Sequence, residues 1–206
     1  GTTLNQALMY GLSSTGVDLD KKDFEAYTTF LQTWLKRGRF KHAAATGALT
    51  LRGVHRGRRF DVTTAPSKTA YAVGDVTKLT YLNTDSTALD DLLAAGSHHV
   101  VVADLPYGVQ HGSHARGGLD RQPLDLLAAA LPGWHRILAP GGALGLAYNR
   151  HVVAPTALAS LIGAAGLEVI PAPSPDGYRH RVDQSIDRDI VVARKPATSA
   201  VATTER

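Results

Sequence analysis

The clearest chemistry in the chain lies in Asp104-Leu105-Pro106-Tyr107, which closes the apolar run Val100-Val101-Val102-Ala103. A carboxylate accepts N–H groups and has no proton of its own to offer at neutral pH. Pro106 lacks a backbone donor and restricts Leu105 to an extended conformation, so the carbonyls here point into a cleft rather than into a ladder. Tyr107 adds an aromatic face on which a flat ring can stack. An acid, free carbonyls and a ring together suit one task, holding an exocyclic amino group on a heteroaromatic ring. Taken alone, the same residues also read as a strand followed by an ordinary Pro-Tyr-Gly turn.

The run before Asp104 predicts a central strand of a parallel sheet, covered on both faces. Ligands in open α/β sheets bind beyond the carboxyl ends of such strands. Upstream, Phe24, Tyr27, Leu31, Trp34 and Leu35 recur at helical spacing and read as packing. Asp20 is placed as the N-cap of that helix, with Asp23 in its first turn; Lys36, Arg37, Arg39 and Lys41 suit its C-terminal end. Leu49–Val54 and Phe60–Thr64 are short alternating runs around His55-Arg56-Gly57-Arg58-Arg59, a hairpin with a cationic tip. Arg56, Arg58 and Arg59 could touch nucleic-acid phosphates, or the hairpin is a solvated edge element whose charges prevent sticking; both readings stand.

Downstream, Leu124, Leu127, Leu131, Trp134, Ile137 and Leu138 fall on a helical face interrupted at Pro132-Gly133. Pro140-Gly141-Gly142 turns the chain into a strand over Ala143–Tyr148, and a helix carrying Leu158, Leu161 and Ile162 ends at Gly166 before the strand Leu167–Ile170. Parts of Tyr178–Ser185 and Asp189–Arg194 form a terminal antiparallel pair. Asn149, Arg150 and His151 follow a strand end and border the cleft without an assigned role.

Composition fits a soluble enzyme. The 206 residues are 44% hydrophobic, enough for one sizeable α/β core. The absence of cysteine excludes disulfides, thiolate chemistry and cysteine-ligated metals. No run reaches transmembrane length and the first residues are no secretory signal, so a cytoplasmic location and no membrane partner are expected. A net charge of +4 permits a polyanionic partner without demanding one. No metal is expected: His98 and His99 are adjacent on a strand and point to opposite faces, and His111 and His114 lie in a glycine-rich loop with no completing ligand. That loop, Val109–Gly118, reads as a substrate loop, with Arg116 and Arg121 placed to meet phosphate or simply to be solvated.

Asp104-Leu105-Pro106-Tyr107-Gly108 resembles the (Asp/Asn)-x-Pro-(Tyr/Phe) motif of S-adenosylmethionine-dependent amino-methyltransferases. Its Leu-Pro-aromatic-Gly form is similar to the RNA guanine-N2 branch, which includes enzymes carrying an RNA-binding THUMP domain. Many relatives have proline where this chain has Leu105, a mild departure because the contact there uses a main-chain carbonyl; guanine N2, adenine N6 and a glutamine amide stay open as targets. Gly1-Thr2-Thr3 resembles the end of the family's glycine-rich cofactor loop. The resemblance implies that Gly1, Thr2 and Thr3 bind the cofactor, that Asp18, closing a strand at Gly16–Asp20, holds its ribose, and that Asp75, closing a strand at Ala70–Thr77, accepts its adenine amino group. Asp104 borders both cofactor and substrate.

The implied fold is α/β, a Rossmann-like methyltransferase sheet with helices on both faces, a basic hairpin insertion at about 48–64, and a first strand lying upstream of Gly1. Residues 1–195 would form this methyltransferase domain and 196–206 a disordered tail. The implied activity is methyl transfer to a base amino group, first of all guanine N2 in tRNA, with an RNA-binding domain upstream as a further possibility. A protein glutamine or DNA adenine methyltransferase, or a non-enzymatic RNA-binding module with a degenerate fold, are the alternatives.

Overall fold

The structure, a computed structural model, describes residues 1–107, 123–174, 176–182 and 184–197. The chain divides into two compact units, Gly1–Ser86 and Thr87–Arg206, each with its own sheet.

In the first unit, helix α1 (Thr2–Met9) leads to strand β1 (Ser14–Asp18), and α2 (Lys21–Arg37) follows. The Asp20 side chain accepts from the Lys22 and Asp23 amides at 2.6 and 3.3 Å, the cap its sequence position predicts. Helical spacing buries Phe24, Tyr27, Leu31 and Leu35 together with Leu4, Leu8, Phe60, Val62, Leu79 and Tyr81. Full burial of a side chain such as Phe24 is worth roughly 1.5–3 kcal/mol. Strands β2 (Lys41–Leu51) and β3 (Val54–Ala65) form a long hairpin, α3 (Lys68–Ala72) follows, and β4 (Thr77–Asn83) completes a sheet of order β1-β4-β3-β2. β1 and β4 are parallel with Asp18 opposite Asn83, while β3 runs antiparallel to β4 with Arg58 opposite Asn83.

Two expectations for this unit are corrected. Residues Ala70–Ala72 are helical rather than extended, because Ser67 caps them by accepting from the Ala70 amide at 3.1 Å. Gly74, at φ +81°, then ends the turn and β4 starts only at Thr77. Asp75 therefore precedes the amino end of β4, at the opposite end of the sheet from Asp18. The hairpin is no short insertion at 48–64 either. It turns at Arg52-Gly53, both with positive φ as a type I′ turn requires, and its second strand is an inner member of the sheet. Arg58 and Arg59 consequently lie within β3 rather than at a tip.

In the second unit, α4 (Leu89–Leu92) precedes β5 (His98–Asp104); α5 (Pro123–Ile137), β6 (Leu138–Asn149), α6 (Pro155–Ala164), β7 (Glu168–Ile170), β8 (His180–Arg181) and β9 (Asp187–Arg194) follow. The sheet order is β5-β6-β9-β7, with β5 and β6 parallel, β9 antiparallel to both β6 and β7, and β8 paired to β9. The antiparallel terminal strands match expectation. α5 runs through Pro132 without interruption: Pro132 and Ala128, whose carbonyl loses its partner, are both exposed, so water replaces the missing bond while Leu131, Trp134 and Ile137 stay buried. Leu138 already belongs to β6. Among the described residues β5 ends its sheet and Val100 and Val102 are 57% and 61% exposed, so the expected cover on both faces is not seen there.

Candidate active site

The carboxyl end of β5 gathers the residues singled out in the sequence. The Leu105 amide donates to the Ala147 carbonyl at 2.9 Å, extending the parallel pairing one step past Asp104 and burying the Leu105 side chain. Pro106 then breaks the ladder, and the chain bends so that the Tyr107 hydroxyl donates to the Asp104 carboxylate. Burial, and next this bond and the Asp104 charge, push the Tyr107 hydroxyl up to about 12, so it is the donor at neutral pH. The Arg188 guanidinium lies over the Tyr107 ring, 5.0 Å from its centroid.

Asn149, at the end of β6, fastens this bend. It is 1% exposed, and its amide nitrogen donates to the carbonyls of Tyr107 at 3.2 Å and Ser185 at 2.9 Å. Its oxygen accepts from the His151 and Asp187 amides, each at 3.1 Å. The Tyr107 carbonyl is thereby occupied. Nearby, Arg179 grips Asp187 from Nε at 2.9 and 3.0 Å, and Arg150 meets Asp189 at 3.0 Å. The Arg179 hydrogen bonds hold the Asp187 carboxyl below its ordinary value. A cavity of about 600 Å3 lined by His151, Arg179, Arg181 and Asp187 adjoins this network. Asn149, Asp187, Asp189 and Arg188 form a support that sequence reasoning missed; the only signal was the position of Asn149 at a strand end.

In the first unit, Asp18 closes β1 with one carboxylate oxygen held by the Asp20 amide at 2.8 Å. Asn83, directly opposite, donates to the carbonyls of Asp18 and Leu19, both at 3.0 Å, and fixes the strand end. Asp18 lines a cavity of about 540 Å3 with Gly1, Thr2, Asn5, Asp23, Tyr27 and Phe30. Gly1 caps α1 against Tyr27 so closely that a Cβ would meet that ring at 2.2 Å. Tyr27 donates to Asn5 at 3.1 Å, and burial pushes its hydroxyl up to about 12. Thr3 lies in the first turn of α1. Gly1, Thr2 and Asp18 thus share one cavity, from which Asp75 is absent.

Of the arginines in β3, Arg58 donates to Glu25 at 2.8 Å and covers the Phe24 ring, while Arg59 donates to Asp61 at 2.6 Å. Arg56 is exposed. Arg116, Arg121, His111, His114 and residues 198–206 of the tail lie outside the described residues. Among the described residues no group of three or more His, Asp or Glu could hold a metal, and no helix is long and apolar enough to cross a membrane.

No family model and no curated protein matches the chain. Solved structures do. A candidate DNA modification methylase of Thermus thermophilus, complexed with S-adenosylmethionine, is 22% identical, with 55% of this chain and 54% of that one covered and a TM-score of 0.37. A candidate exported protein of Bordetella parapertussis is 13% identical over 91% of this chain and 54% of its own, with a TM-score of 0.47. A Thermus thermophilus 16S rRNA guanine N2 methyltransferase, solved with S-adenosylmethionine and guanosine, is 20% identical over 63% of this chain and 28% of its own, with a TM-score of 0.33. The chain spans about half the length of the methylase.

Proposed function

We propose that this chain is part of an S-adenosylmethionine-dependent N-methyltransferase acting on a nucleic-acid base, with guanine N2 of tRNA as the first target to test. The observation that carries the reading is the end of β5. Asp104 stands exposed beside Tyr107, and among the described residues the one carbonyl of the bend that the protein itself occupies is that of Tyr107. The Asp104 carboxylate and the Leu105 or Pro106 carbonyl are the acceptors for an amino group.

The residues of the first unit fit the cofactor's nucleoside end. The Asp18 carboxylate is oriented by the Asp20 amide and bonded by the Tyr81 hydroxyl, and its remaining lone pairs are the acceptors for a ribose hydroxyl. The cradle at Gly1 is one that a side chain would fill, and Thr2 and Thr3 begin a helix whose first amides are unpaired donors. Asp75 sits at the opposite end of the sheet from Asp18 and takes no part in this reading. When bound, the cofactor supplies an electrophilic sulfonium methyl.

An aromatic amine is a poor nucleophile because its lone pair is delocalised into the ring. By accepting N–H bonds, Asp104 and the Leu105 or Pro106 carbonyl pull the nitrogen toward tetrahedral geometry and stabilise the positive charge it develops. Tyr107 fixes the plane of the base by stacking, and much of the rate comes from that orientation. Asp104 or water takes the proton that the nitrogen releases.

The test is transfer of labelled methyl from S-adenosylmethionine to unmodified tRNA by the full-length protein and its Asp104→Ala variant. Label in RNA with the parent alone supports the reading, and nucleoside digestion names the base. Cofactor binding without label in RNA moves the target to DNA or a protein amide. A parent that binds no cofactor overturns the assignment.

A further inference from the structure

The β2–β3 hairpin is unused by the site above. Its register places it at one end of the first unit's sheet. Arg58 lies opposite Asn83, which lies opposite Asp18, so Gly53–Gly57 run past the carboxyl ends of β1 and β4. At about 3.3 Å per residue this overhang reaches roughly 16 Å. Thr46, Gly47, Ala48 and Thr50 of β2 and Val54, His55 and Arg56 of β3 are all exposed, unlike the buried pattern farther along β3.

Its charge has one sign. From Lys41 to Arg59 there are five cations and no acid. The structure sorts these cations. Arg58 and Arg59 are committed to Glu25 and Asp61, and so fasten the base of the ribbon. Among the described residues no ion pair or side-chain hydrogen bond holds Arg52 or Arg56, which stand exposed at the turn and near it.

Local backbone devices aim these two. Leu49 pairs with Gly57 but Thr50 with His55, so Arg56 is the extra residue of a bulge, and the Thr84 hydroxyl fixes its carbonyl at 3.0 Å. A bulge bends its strand and redirects the side chain it carries. Gly57, at φ +143°, permits the close crossing there: a Cβ would meet the Asn83 carbonyl oxygen at 1.9 Å.

We infer that the overhanging ribbon is a docking arm for the sugar-phosphate backbone of the nucleic acid, gripping through Arg52 and Arg56, with Arg58 and Arg59 as its internal anchors. This deepens the proposed function and rests on it for the identity of the substrate. The partner follows from charge: a narrow projecting ribbon with exposed guanidinium groups and no carboxylate complements closely spaced phosphates. A grip on phosphates carries no sequence information of its own.

The experiment measures binding of labelled unmodified tRNA by fluorescence anisotropy over a range of salt concentrations, using the full-length protein without cofactor. Each phosphate contact contributes about 0.7–0.9 to the slope of log affinity against log salt. Arg52→Gln/Arg56→Gln is expected to lower the slope by roughly 1.4–1.8 and to weaken binding at least tenfold at low salt, with the melting temperature and S-adenosylmethionine affinity of the parent. Arg58→Gln is expected to lower the melting temperature instead. An unchanged slope in the folded double variant overturns the arm. Because binding is read without transfer, a lost slope in a protein whose parent methylates nothing sinks the methyltransferase reading and leaves the arm standing.

Discussion

Asp18 and Asp104 each end a parallel strand, and the two acids are held in opposite ways. Asp18 is half-buried, with one oxygen fixed by the Asp20 amide, the hydroxyl of the buried Tyr81 bonded to it and its strand end clamped by Asn83. Asp104 is exposed, and its partner is the hydroxyl of a side chain three residues on. A backbone amide cannot leave without disturbing the start of α2, whereas a tyrosine hydroxyl leaves by a rotamer change. The first arrangement suits a ligand that must be held in one fixed orientation while it reacts. In the proposed reaction the second would keep a carboxylate oriented until an amino group replaces the hydroxyl.

The largest effect should come from removing the exchangeable acid. Asp104→Ala is expected to cut methyl transfer by at least about 10²–10³-fold, with the calorimetric affinity for S-adenosylmethionine retained; equal loss of both would erase the distinction between the two acids. Asp18→Ala should do the converse, weakening cofactor binding roughly tenfold to a hundredfold, as expected for a hydrogen bond to a charged group worth about 1.5–3 kcal/mol. Unchanged affinity in that variant would shift the ribose contact to Asp20.

Support residues should separate from the acids. Asn149→Ala removes four hydrogen bonds made by a side chain that is 1% exposed, and each group left without a partner costs about 1–3 kcal/mol where water cannot reach, so thermal denaturation should show a melting temperature lower by several degrees. Tyr107→Phe keeps the stacking ring and deletes only the hydroxyl cap, and kcat/KM is expected to change by less than about fivefold, within the worth of one hydrogen bond. A loss as deep as that of Asp104→Ala would make the hydroxyl part of the chemistry. The smallest effect concerns pH. Tyr27, Tyr107 and Tyr148 are all pushed up to about 12, chiefly by burial. Groups raised in this way stabilise the fold fully below their unfolded value near 10, and that contribution fades as pH climbs through about 12. Absorbance at alkaline pH should therefore show these rings ionising late, with stability falling over the same window.

Local features were legible in the sequence. The Asp20 cap, the stripe of α2 and the bend at Pro106 each depend on neighbours within a few residues, and each stands where its spacing puts it. Pairing partners were not legible. The alternation of Leu79 with Tyr81 lost out to the apolar look of Ala70–Val73, a stretch that Ser67 turns into a helix. The arginines around Gly57 looked alike in sequence, yet the neighbouring helix α2 gives Arg58 its partner Glu25 and strand register leaves Arg56 on a bulge. Asn149 could be placed at a strand end, but its work requires the Tyr107 bend and the Ser185–Asp187 backbone, brought to it by tertiary folding.

The exposed rim of β5 bears on what the sheet can accept at its edge. Val100 and Val102 stand in water on a strand that pairs on one side only among the described residues, and no lysine or proline within Val100–Ala103 guards it. Such a rim is a template for strand addition. A strand laid along this rim, from elsewhere in a longer polypeptide or from a second copy, would cover both valines, and a single charged residue at position 102 is expected to hinder it.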